Sequence, residues 1–331
     1  MNVGSLIINV LTGSSAGISG KINQYRKIGV VRSVSAKDMS EVNLEGVKAV
    51  GPVFRGSVAW IYRGKIDDMS VCVKVINKSA QSRITEENRG LSSMAWMAAI
   101  VNQSASDALK RMTSRFEREL DLTRELRMAK IVSLSVTPFC NVSVPIFLDQ
   151  HCNHTKLVYE HAEGESLDRM PTHEVRANIL IDIVRTYFYL LQIHGVILGD
   201  TNPGNFIYNV KTNRVTLIDF GAVEIVDKDL LEILHSVHRS HGDSDKLKEL
   251  FPDHCVLPEL MAKQGAEFWA DSCRIIEFRI SDISLSVVHE DLPTNFEVVC
   301  RSGSQLLGML TYYAVPLNLR HEMEQIEAMI Q

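Results

Sequence analysis

Three polar side chains between residues 200 and 219 have the types and spacing needed for metal-assisted phosphate chemistry. Asp200 and Asn205 are five residues apart, and Asp219 follows the apolar run Val215–Ile218. Magnesium takes hard oxygen ligands, and one carboxylate with one amide suffices where phosphate oxygens complete its shell. The pattern predicts that Asn205 and Asp219 hold magnesium while Asp200 orients or deprotonates an acceptor.

The neighbouring segments predict how these residues are brought together. Phe206–Tyr208 and Val215–Ile218 have the composition of short strands, and Lys211–Arg214 has that of a turn. Such a hairpin carries both polar clusters into one cleft. The order Asp, Asn five residues later, then Asp-Phe-Gly at 219–221 is that of protein kinases. Taken singly, Asp and Asn would predict only turns.

A lysine in an apolar strand indicates a second part of the same site. Lys74 stands in the run Val71–Ile76, which follows the strand Val58–Tyr62. An unpaired buried ammonium group is costly, so Lys74 is either paired or carries its charge to the surface. Kinases use a lysine on this strand to hold the α- and β-phosphates of ATP.

The preceding loop, Gly51–Ser57, is predicted to cover the nucleotide. It lacks the G-x-G-x-x-G pattern, so its signal alone is weak. Gly56 is the position where the backbone could approach a phosphate closely, with Ser57 beside it.

An acid that pairs with Lys74 is expected from the helical stretch 84–133. This stretch has apolar residues near the helical period, together with four candidate acids: Glu117, Glu119, Asp121 and Glu125. Any one of them could instead lie on a solvated face. The gap of about fifty residues after the lysine indicates an inserted helical segment.

Composition limits the class of protein. The chain has 331 residues, 45% hydrophobic and 23% charged, which is typical of one two-lobed domain or two ordinary domains. A net charge of −5 gives no reason to expect nucleic acid as a partner. No apolar run reaches the roughly 18 residues of a membrane span. Six cysteines without a Cys-x-x-Cys pair argue against zinc and for an intracellular location.

The remaining segments complete an α+β, two-lobed protein-kinase-like fold. We predict a small β-rich N-lobe at about 50–160, ending in strands Val142–Leu148 and Leu157–Glu160, and a helical C-lobe at about 165–331. Glu160–Gly164 would connect the lobes. The predicted C-lobe helices are Val175–His194, Leu230–His238, Asp245–Leu250, Glu259–Trp269 and Leu306–Leu319.

The chain resembles the UbiB family, the atypical kinase-like proteins of coenzyme Q biosynthesis, and in particular its eukaryotic mitochondrial branch. Residues 199–208 resemble the family's catalytic loop, and 217–222 its metal motif. Residues 116–125 resemble its Glu-x-Asp element, here Glu119 and Asp121, followed by Arg-Glu. This resemblance implies that Glu125 is the partner of Lys74. The helical insert and a helical N-terminal extension are also features of the family.

The family's N-terminal Lys-x-Gly-Gln motif is resembled by Lys21–Gln24, with Asn23 in place of glycine. The resemblance implies that Lys21 and Gln24 belong to a regulatory segment over the active site. Lys21 would meet Glu119 and Asp121, a placement thought to block protein-kinase activity. The family-type domain would span 21–331, after a basic, targeting-like segment at 1–20.

The resemblance implies ATP and Mg²⁺ as cofactors, and slow ATP hydrolysis that supports ubiquinone biosynthesis or quinone-lipid handling. Lipid or a membrane surface and coenzyme Q biosynthesis proteins are the implied partners. Residues 1–37 lack Asp and Glu, as mitochondrial transit peptides do, although a solvated basic segment and a cytoplasmic location stay open. The alternative functions are a small-molecule phosphotransferase of the aminoglycoside or choline kinase type and a non-catalytic nucleotide-binding scaffold.

Overall fold

The computed structural model shows an α+β kinase-like fold with a β-rich N-terminal lobe and a mainly helical C-terminal lobe. Several predicted features lie outside the described residues: segment 1–20, Lys21, Gln24, Gly56, Ser57, Glu119 and the helix at 259–269. The structure describes residues 40–44, 46–55, 58–101, 106, 110, 113–114, 117–118, 120–136, 141–240, 243–250, 295–315, 317 and 319–328.

The described elements are numbered along the chain. The strands are β1 Ser40–Leu44, β2 Val47–Arg55, β3 Ala59–Ile66, β4 Met69–Ile76, β5 Val142–Ser143, β6 Lys156–Glu160, β7 Glu165–Ser166, β8 Val196–Leu198, β9 Phe206–Asn209, β10 Arg214–Leu217 and β11 Val223–Ile225. The helices are α1 Lys78–Val101, α2 Leu122–Ser135, α3 Ala177–His194, α4 Lys228–Ser240, α5 Ser244–Leu250, α6 Phe296–Tyr312 and α7 Leu319–Glu327.

The N-terminal lobe is built on an antiparallel sheet with the strand order β1-β2-β3-β4-β6. Val71 and Val73 of β4 are fully buried in the core of this sheet. Because side chains alternate along a strand, Cys72 and Lys74 face the opposite side, which is the side of the cleft between the lobes. The predicted hairpin around Lys74 is confirmed.

Two predictions for the N-terminal lobe were wrong in their bounds. Gly51–Arg55 belongs to β2 and is not loop, with a register irregularity between Val50 and Phe54. Of the predicted strand Val142–Leu148, only β5 forms, and it pairs in parallel with β10 of the other lobe. Short apolar runs predict a strand better than they predict its partner, because pairing depends on distant residues.

The predicted helical stretch 84–133 divides into α1 and α2. The α2 helix begins at Leu122 because the Asp121 carboxylate accepts hydrogen bonds from the amides of Thr123 and Arg124 at 3.0 and 3.1 Å. An aspartate in this position satisfies amides that have no partner inside the helix. Because this cap sets the first residue of the helix, it also sets the position of Glu125, one turn later, which faces the cleft.

The C-terminal lobe is organised around α3. Its buried residues include Ile179, Leu180, Ile183 and Leu190, and Gly195 ends the helix with a φ of 61°, a conformation that glycine adopts at low cost. The final helices differ from the prediction: α6 spans Phe296–Tyr312, and a separate α7 begins at Leu319. No helix among the described residues is long and apolar enough to cross a membrane.

Two small sheets bring the predicted polar clusters together. The β9–β10 hairpin forms as predicted, with Phe206 opposite Leu217, and β8 pairs with β11. Directly after β8, the Gly199 amide donates to the Ala222 carbonyl oxygen at 3.1 Å. A Cβ atom on Gly199 would lie only 2.1 Å from that oxygen. The loop of Asp200 and the loop of Asp219 can therefore lie side by side only because residue 199 has no side chain.

Replacing Gly199 with alanine should lower the free energy of unfolding by about 2–3 kcal/mol, because the clash is with backbone and cannot be relieved by a rotamer change. Chemical denaturation measures this loss. The control is Gly303→Ala on α6, where an added Cβ meets nothing within 4 Å; helix propensity there should give about 0.5–1 kcal/mol of stabilisation. Equal effects of the two substitutions would contradict this account.

Candidate active site

The buried ammonium group of Lys74 joins the two lobes. Its Nζ donates to Glu125 Oε1 at 2.7 Å and to Asp219 Oδ1 at 3.3 Å. Lys74 and Glu125 side chains are 14% and 5% exposed, whereas that of Asp219 is 40% exposed. Asp219 is therefore the acid of this cluster that a ligand can reach. The structure places Glu125 beside Lys74 and leaves Asp121 as a helix cap.

The charges of this cluster are unequal, because one ammonium group faces two carboxylates. Burial acts to lower the pKa of Lys74, but Asp219 and Glu125 outweigh it, and the net pKa is raised so that the lysine stays protonated. Burial raises the pKa of Glu125 to about 7, although Lys74 opposes the shift. Burial also acts to raise the pKa of Asp219, but Lys74 and the Gly221 amide bring it below its usual value. Asp219 is thus the carboxylate that keeps its charge.

The aromatic residue after Asp219 fixes the direction of its carboxylate. Phe220 is fully buried and makes an edge contact with Phe147, with ring centroids 6.0 Å apart. The Phe220 amide points toward Glu125 Oε1 at 3.4 Å, and the Gly221 amide donates to Asp219 Oδ1 at 3.1 Å. With the ring in the core beneath α2, the carboxylate of Asp219 faces the cleft.

Asp200 and Asn205 form the other half of the site. Asn205 Nδ2 donates to the backbone oxygen and to Oδ2 of Asp200, both at 3.2 Å, which leaves Oδ1 on the other branch of the amide as an acceptor or ligand. The Ile218 amide donates to the Asn205 carbonyl oxygen at 3.0 Å. This backbone contact places Asn205 beside the residue that precedes Asp219.

These side chains line a cavity of about 750 Å³ between the lobes. Lys74, Asp200, Asn205 and Asp219 lie together on its wall. Apolar side chains from both lobes also line it: Val58, Cys72, Ile207 and Ile218. A wall that is apolar in one part and charged in another can bind a ligand with an apolar ring and a charged tail.

Sequence reasoning missed a cluster that ties the start of α2 to the strand after Asp-Phe-Gly. Glu224 Oε1 accepts from Arg118 Nη1 at 2.5 Å, and Glu224 Oε2 accepts from Arg124 Nη2 at 2.9 Å. Arg124 also donates to the carbonyl oxygens of Gly221 and Val223. The Arg-Glu pair at 124–125 was the available signal: one residue holds this strand and the next meets Lys74.

A second missed residue comes from the far end of the chain. Gln305 on α6 donates from Nε2 to Asp200 Oδ1 at 3.0 Å. Nothing in the local sequence around Gln305 predicts this contact, since 105 residues separate the partners.

Among the described residues, no group of three or more His, Cys, Asp and Glu side chains is placed to hold a metal ion. That finding does not conflict with the predicted donor set of Asn205 and Asp219. Magnesium commonly keeps several waters and takes one or two protein oxygens together with substrate phosphates.

Replacing Glu224 with glutamine should leave the guanidinium groups of Arg118 and Arg124 without their carboxylate. Water replaces this partner poorly, because the side chains of Arg124 and Glu224 are each only 14% exposed. We expect the free energy of unfolding to fall by about 2 kcal/mol, between the values for exposed and fully buried ion pairs. Urea denaturation measures the change. The exposed Glu232→Gln on α4 is the matched control and should stay within about 0.5 kcal/mol of wild type. A wild-type value for both variants would show that the cluster adds nothing.

Comparison with solved structures supports the fold. The structure reported as the complex of Rv3197 with erythromycin, from Mycobacterium tuberculosis, matches 92% of this chain and 82% of that chain, with a TM-score of 0.64 and 16% identity. At this identity the likeness concerns the fold alone.

Sequence comparison identifies the family. The chain is 24% identical over 202 residues to the mitochondrial atypical kinase COQ8B of Rattus norvegicus, which covers 59% of this chain and 38% of that protein. It is 23% identical over 207 residues to the mitochondrial atypical kinase COQ8 of Schizosaccharomyces pombe, covering 59% of this chain and 34% of that protein. The chain thus spans little more than a third of these relatives. Residues 49–250 match the ABC1 atypical kinase-like domain, and the chain belongs to this family of UbiB-type atypical kinases.

Proposed function

We propose that this chain binds Mg-ATP in the cleft between its lobes and acts as an atypical kinase or ATPase. The observation that carries the proposal is the position of Lys74, whose ammonium group contacts both Glu125 and Asp219. A phosphate-binding lysine must be held in place on one side and face the metal-binding acid on the other. Both contacts are present here, in a cavity of sufficient size.

The cavity wall suggests how the nucleotide would lie. The adenine ring would lie against the apolar part of the wall, to which Cys72 and Ile207 contribute. His161 and Ala162 of the lobe connection line the same cavity. Lys74 would hold the α- and β-phosphates. Asn205 Oδ1 and the Asp219 carboxylate are hard oxygen donors on the same wall, and they fit magnesium.

Asp200 would orient the acceptor and receive its proton. Both of its carboxylate oxygens are already oriented by side-chain amides, at 3.2 Å from Asn205 and 3.0 Å from Gln305. Uncharged donors hold a carboxylate in place without forming an ion pair with it. The bound magnesium would supply charge neutralisation at the phosphates. Positioning and electrostatics account for most of phosphoryl-transfer catalysis, and these residues provide both.

We extend the proposal to support of coenzyme Q biosynthesis or quinone-lipid handling in mitochondria, at a lipid or membrane surface and with coenzyme Q biosynthesis proteins as partners. Its support is the UbiB resemblance and the word mitochondrial in the names of two relatives. The regulatory role of Lys21, Gln24, Glu119 and Asp121 stays part of this proposal. Asp121, the described member of that set, already caps α2 through one carboxylate oxygen.

Two alternative functions, a small-molecule phosphotransferase and a non-catalytic scaffold, are distinguished from an atypical kinase in different ways. Membership of the ABC1 family favours the atypical-kinase function over an aminoglycoside or choline kinase. A non-catalytic scaffold would share the same cavity and would differ only in turnover, so it is distinguished by experiment.

Mg-ATP should stabilise the wild type in a thermal-shift assay. At a ligand concentration about 100 times the dissociation constant, the expected stabilisation is about 2.7 kcal/mol. Asp219→Asn should abolish the magnesium-dependent part, because it removes the ionised and accessible oxygen donor. Asp68→Asn, in the exposed β3–β4 turn, should respond like wild type. A wild type that does not respond to Mg-ATP would refute nucleotide binding.

Asp200→Asn should separate binding from chemistry. The amide keeps the shape of the side chain but cannot accept the acceptor's proton, so magnesium-dependent phosphate release should fall by about 10²–10⁴-fold. The Mg-ATP thermal shift should be retained. A wild type that binds Mg-ATP but releases phosphate no faster than Asp200→Asn would instead be a nucleotide-binding scaffold.

A further inference from the structure

The carboxylate of Asp200 is held by two amides from different parts of the chain. Asn205, in the same loop, donates to Oδ2 at 3.2 Å. Gln305 donates from Nε2 to Oδ1 at 3.0 Å and comes from α6, close to the C-terminal end of the described chain. The first contact follows from the spacing in the loop, whereas the second exists only because α6 packs against the loop.

The other end of the Gln305 amide is also occupied, and this fixes its orientation. Gln305 Oε1 accepts from the Thr201 amide at 3.0 Å, and the Thr201 hydroxyl lies 3.3 Å away. Because the oxygen of this amide accepts from the Thr201 amide, its nitrogen faces Asp200. The amide of Gln305 thus bridges two consecutive residues of the loop with a donor on one and an acceptor on the other.

The helix that carries Gln305 is anchored separately. Thr201 is fully buried, and its hydroxyl donates to the Ser302 carbonyl oxygen at 2.9 Å. The Ser302 hydroxyl lies 2.7 Å from the Tyr187 hydroxyl on α3, in the centre of the lobe. The loop is therefore attached to α6 without Gln305 Nε2. The hydrogen bond from that nitrogen to Asp200 therefore serves to orient the Asp200 carboxylate, which faces the cavity.

We propose that Gln305 is a positioning residue, which holds the Asp200 carboxylate toward the acceptor. The proposal rests on the function proposed above. The terminal torsion of an aspartate is broad, so a donor on each oxygen restricts the carboxylate to one orientation. The amide is uncharged, so it orients Asp200 without becoming its counter-ion. In this way the C-terminal helix takes part in building the active site.

Two substitutions separate the functions of the two ends of this amide. Gln305→Glu keeps an acceptor for the Thr201 amide but replaces the donor to Asp200 with a like charge. Gln305→Leu removes both. Gln325, exposed on α7, provides the controls Gln325→Glu and Gln325→Leu. For each variant, kcat and KM for Mg-ATP in phosphate release, the melting temperature, and hydrogen exchange of the peptide 199–206 would be measured.

In Gln305→Glu we expect kcat to fall by about 10–100-fold, the effect of misplacing a reacting group by about 1 Å. KM for Mg-ATP should stay within about twofold, since the residues proposed to hold the nucleotide are unchanged. The melting temperature should fall by no more than about 2–4 °C, because the repulsion between the two carboxylates is screened where both side chains are partly exposed. In Gln305→Leu the peptide with Thr201 should also exchange faster, because the Thr201 amide has lost its acceptor. The Gln325 variants should match wild type in every measurement.

Wild-type kcat in Gln305→Glu would overturn the proposal. So would a parallel loss of kcat, Mg-ATP affinity and melting temperature, which would indicate a purely structural residue. If the wild type itself fails to bind Mg-ATP, the proposed function fails, and hydrogen exchange then tests separately whether the Gln305 amide packs against the loop through Thr201. Faster exchange in Gln305→Leu would support that arrangement, and unchanged exchange would overturn it.

Discussion

The ammonium group of Lys74 depends on two carboxylates from different lobes. This group is buried, and its Nζ atom contacts Glu125 of α2 at 2.7 Å and Asp219 of the C-terminal lobe at 3.3 Å. A buried charge is tolerated only when it is paired and hydrogen-bonded. The relative position of β4, α2 and the Asp-Phe-Gly segment is therefore set by one cation. Burial raises the pKa of Glu125 despite Lys74, whereas burial of Asp219 is outweighed by Lys74 and the Gly221 amide, which bring its pKa below the usual value.

The elements around this cation are each held by a contact of their own. The Asp121 cap sets where α2 begins, and Arg124 joins that helix to the carbonyl oxygens of Gly221 and Val223. Glu224 adds a carboxylate between two arginines. These contacts join Arg118 and Arg124, near the start of α2, to the strand that follows Asp-Phe-Gly.

The catalytic loop is placed by packing against the C-terminal lobe. Gly199 lets the loop approach Ala222 closely, and α6 contacts Thr201 and Asp200 from the other side. Asp200 is thus oriented by two residues that follow it in the sequence, one in the same loop and one in a helix 105 residues away. The site is built from β4, α2, the catalytic loop, the Asp-Phe-Gly segment and α6, and the cavity exists only when the two lobes are folded together.

Much of the site was predictable because its chemistry depends on residue types at short range. The spacing of Asp200, Asn205 and Asp219 around a hairpin predicted their convergence. The apolar strand around Lys74 left two possibilities, a paired lysine or one that carries its charge to the surface, and the structure shows the first. The choice of Glu125 as the partner of Lys74 came from the resemblance to the UbiB family. Spacing alone did not distinguish it from the other three acids of the same helical stretch. Strand and helix bounds, such as those of β2, β5 and α6, were predicted less well because pairing partners and neighbouring helices decide them.

By itself, the sequence determined the local patterns: which strand carries a lysine, which turn carries an amide and a carboxylate, and which lobe is mainly helical. Only the tertiary structure decided that Glu224 lies between Arg118 and Arg124 and that Gln305 donates to Asp200. The physical reason is the distance along the sequence over which each kind of interaction acts. Periodicity and turn chemistry act over a few residues, whereas hydrogen bonds of 2.5–3.3 Å between distant segments form only after the core has packed.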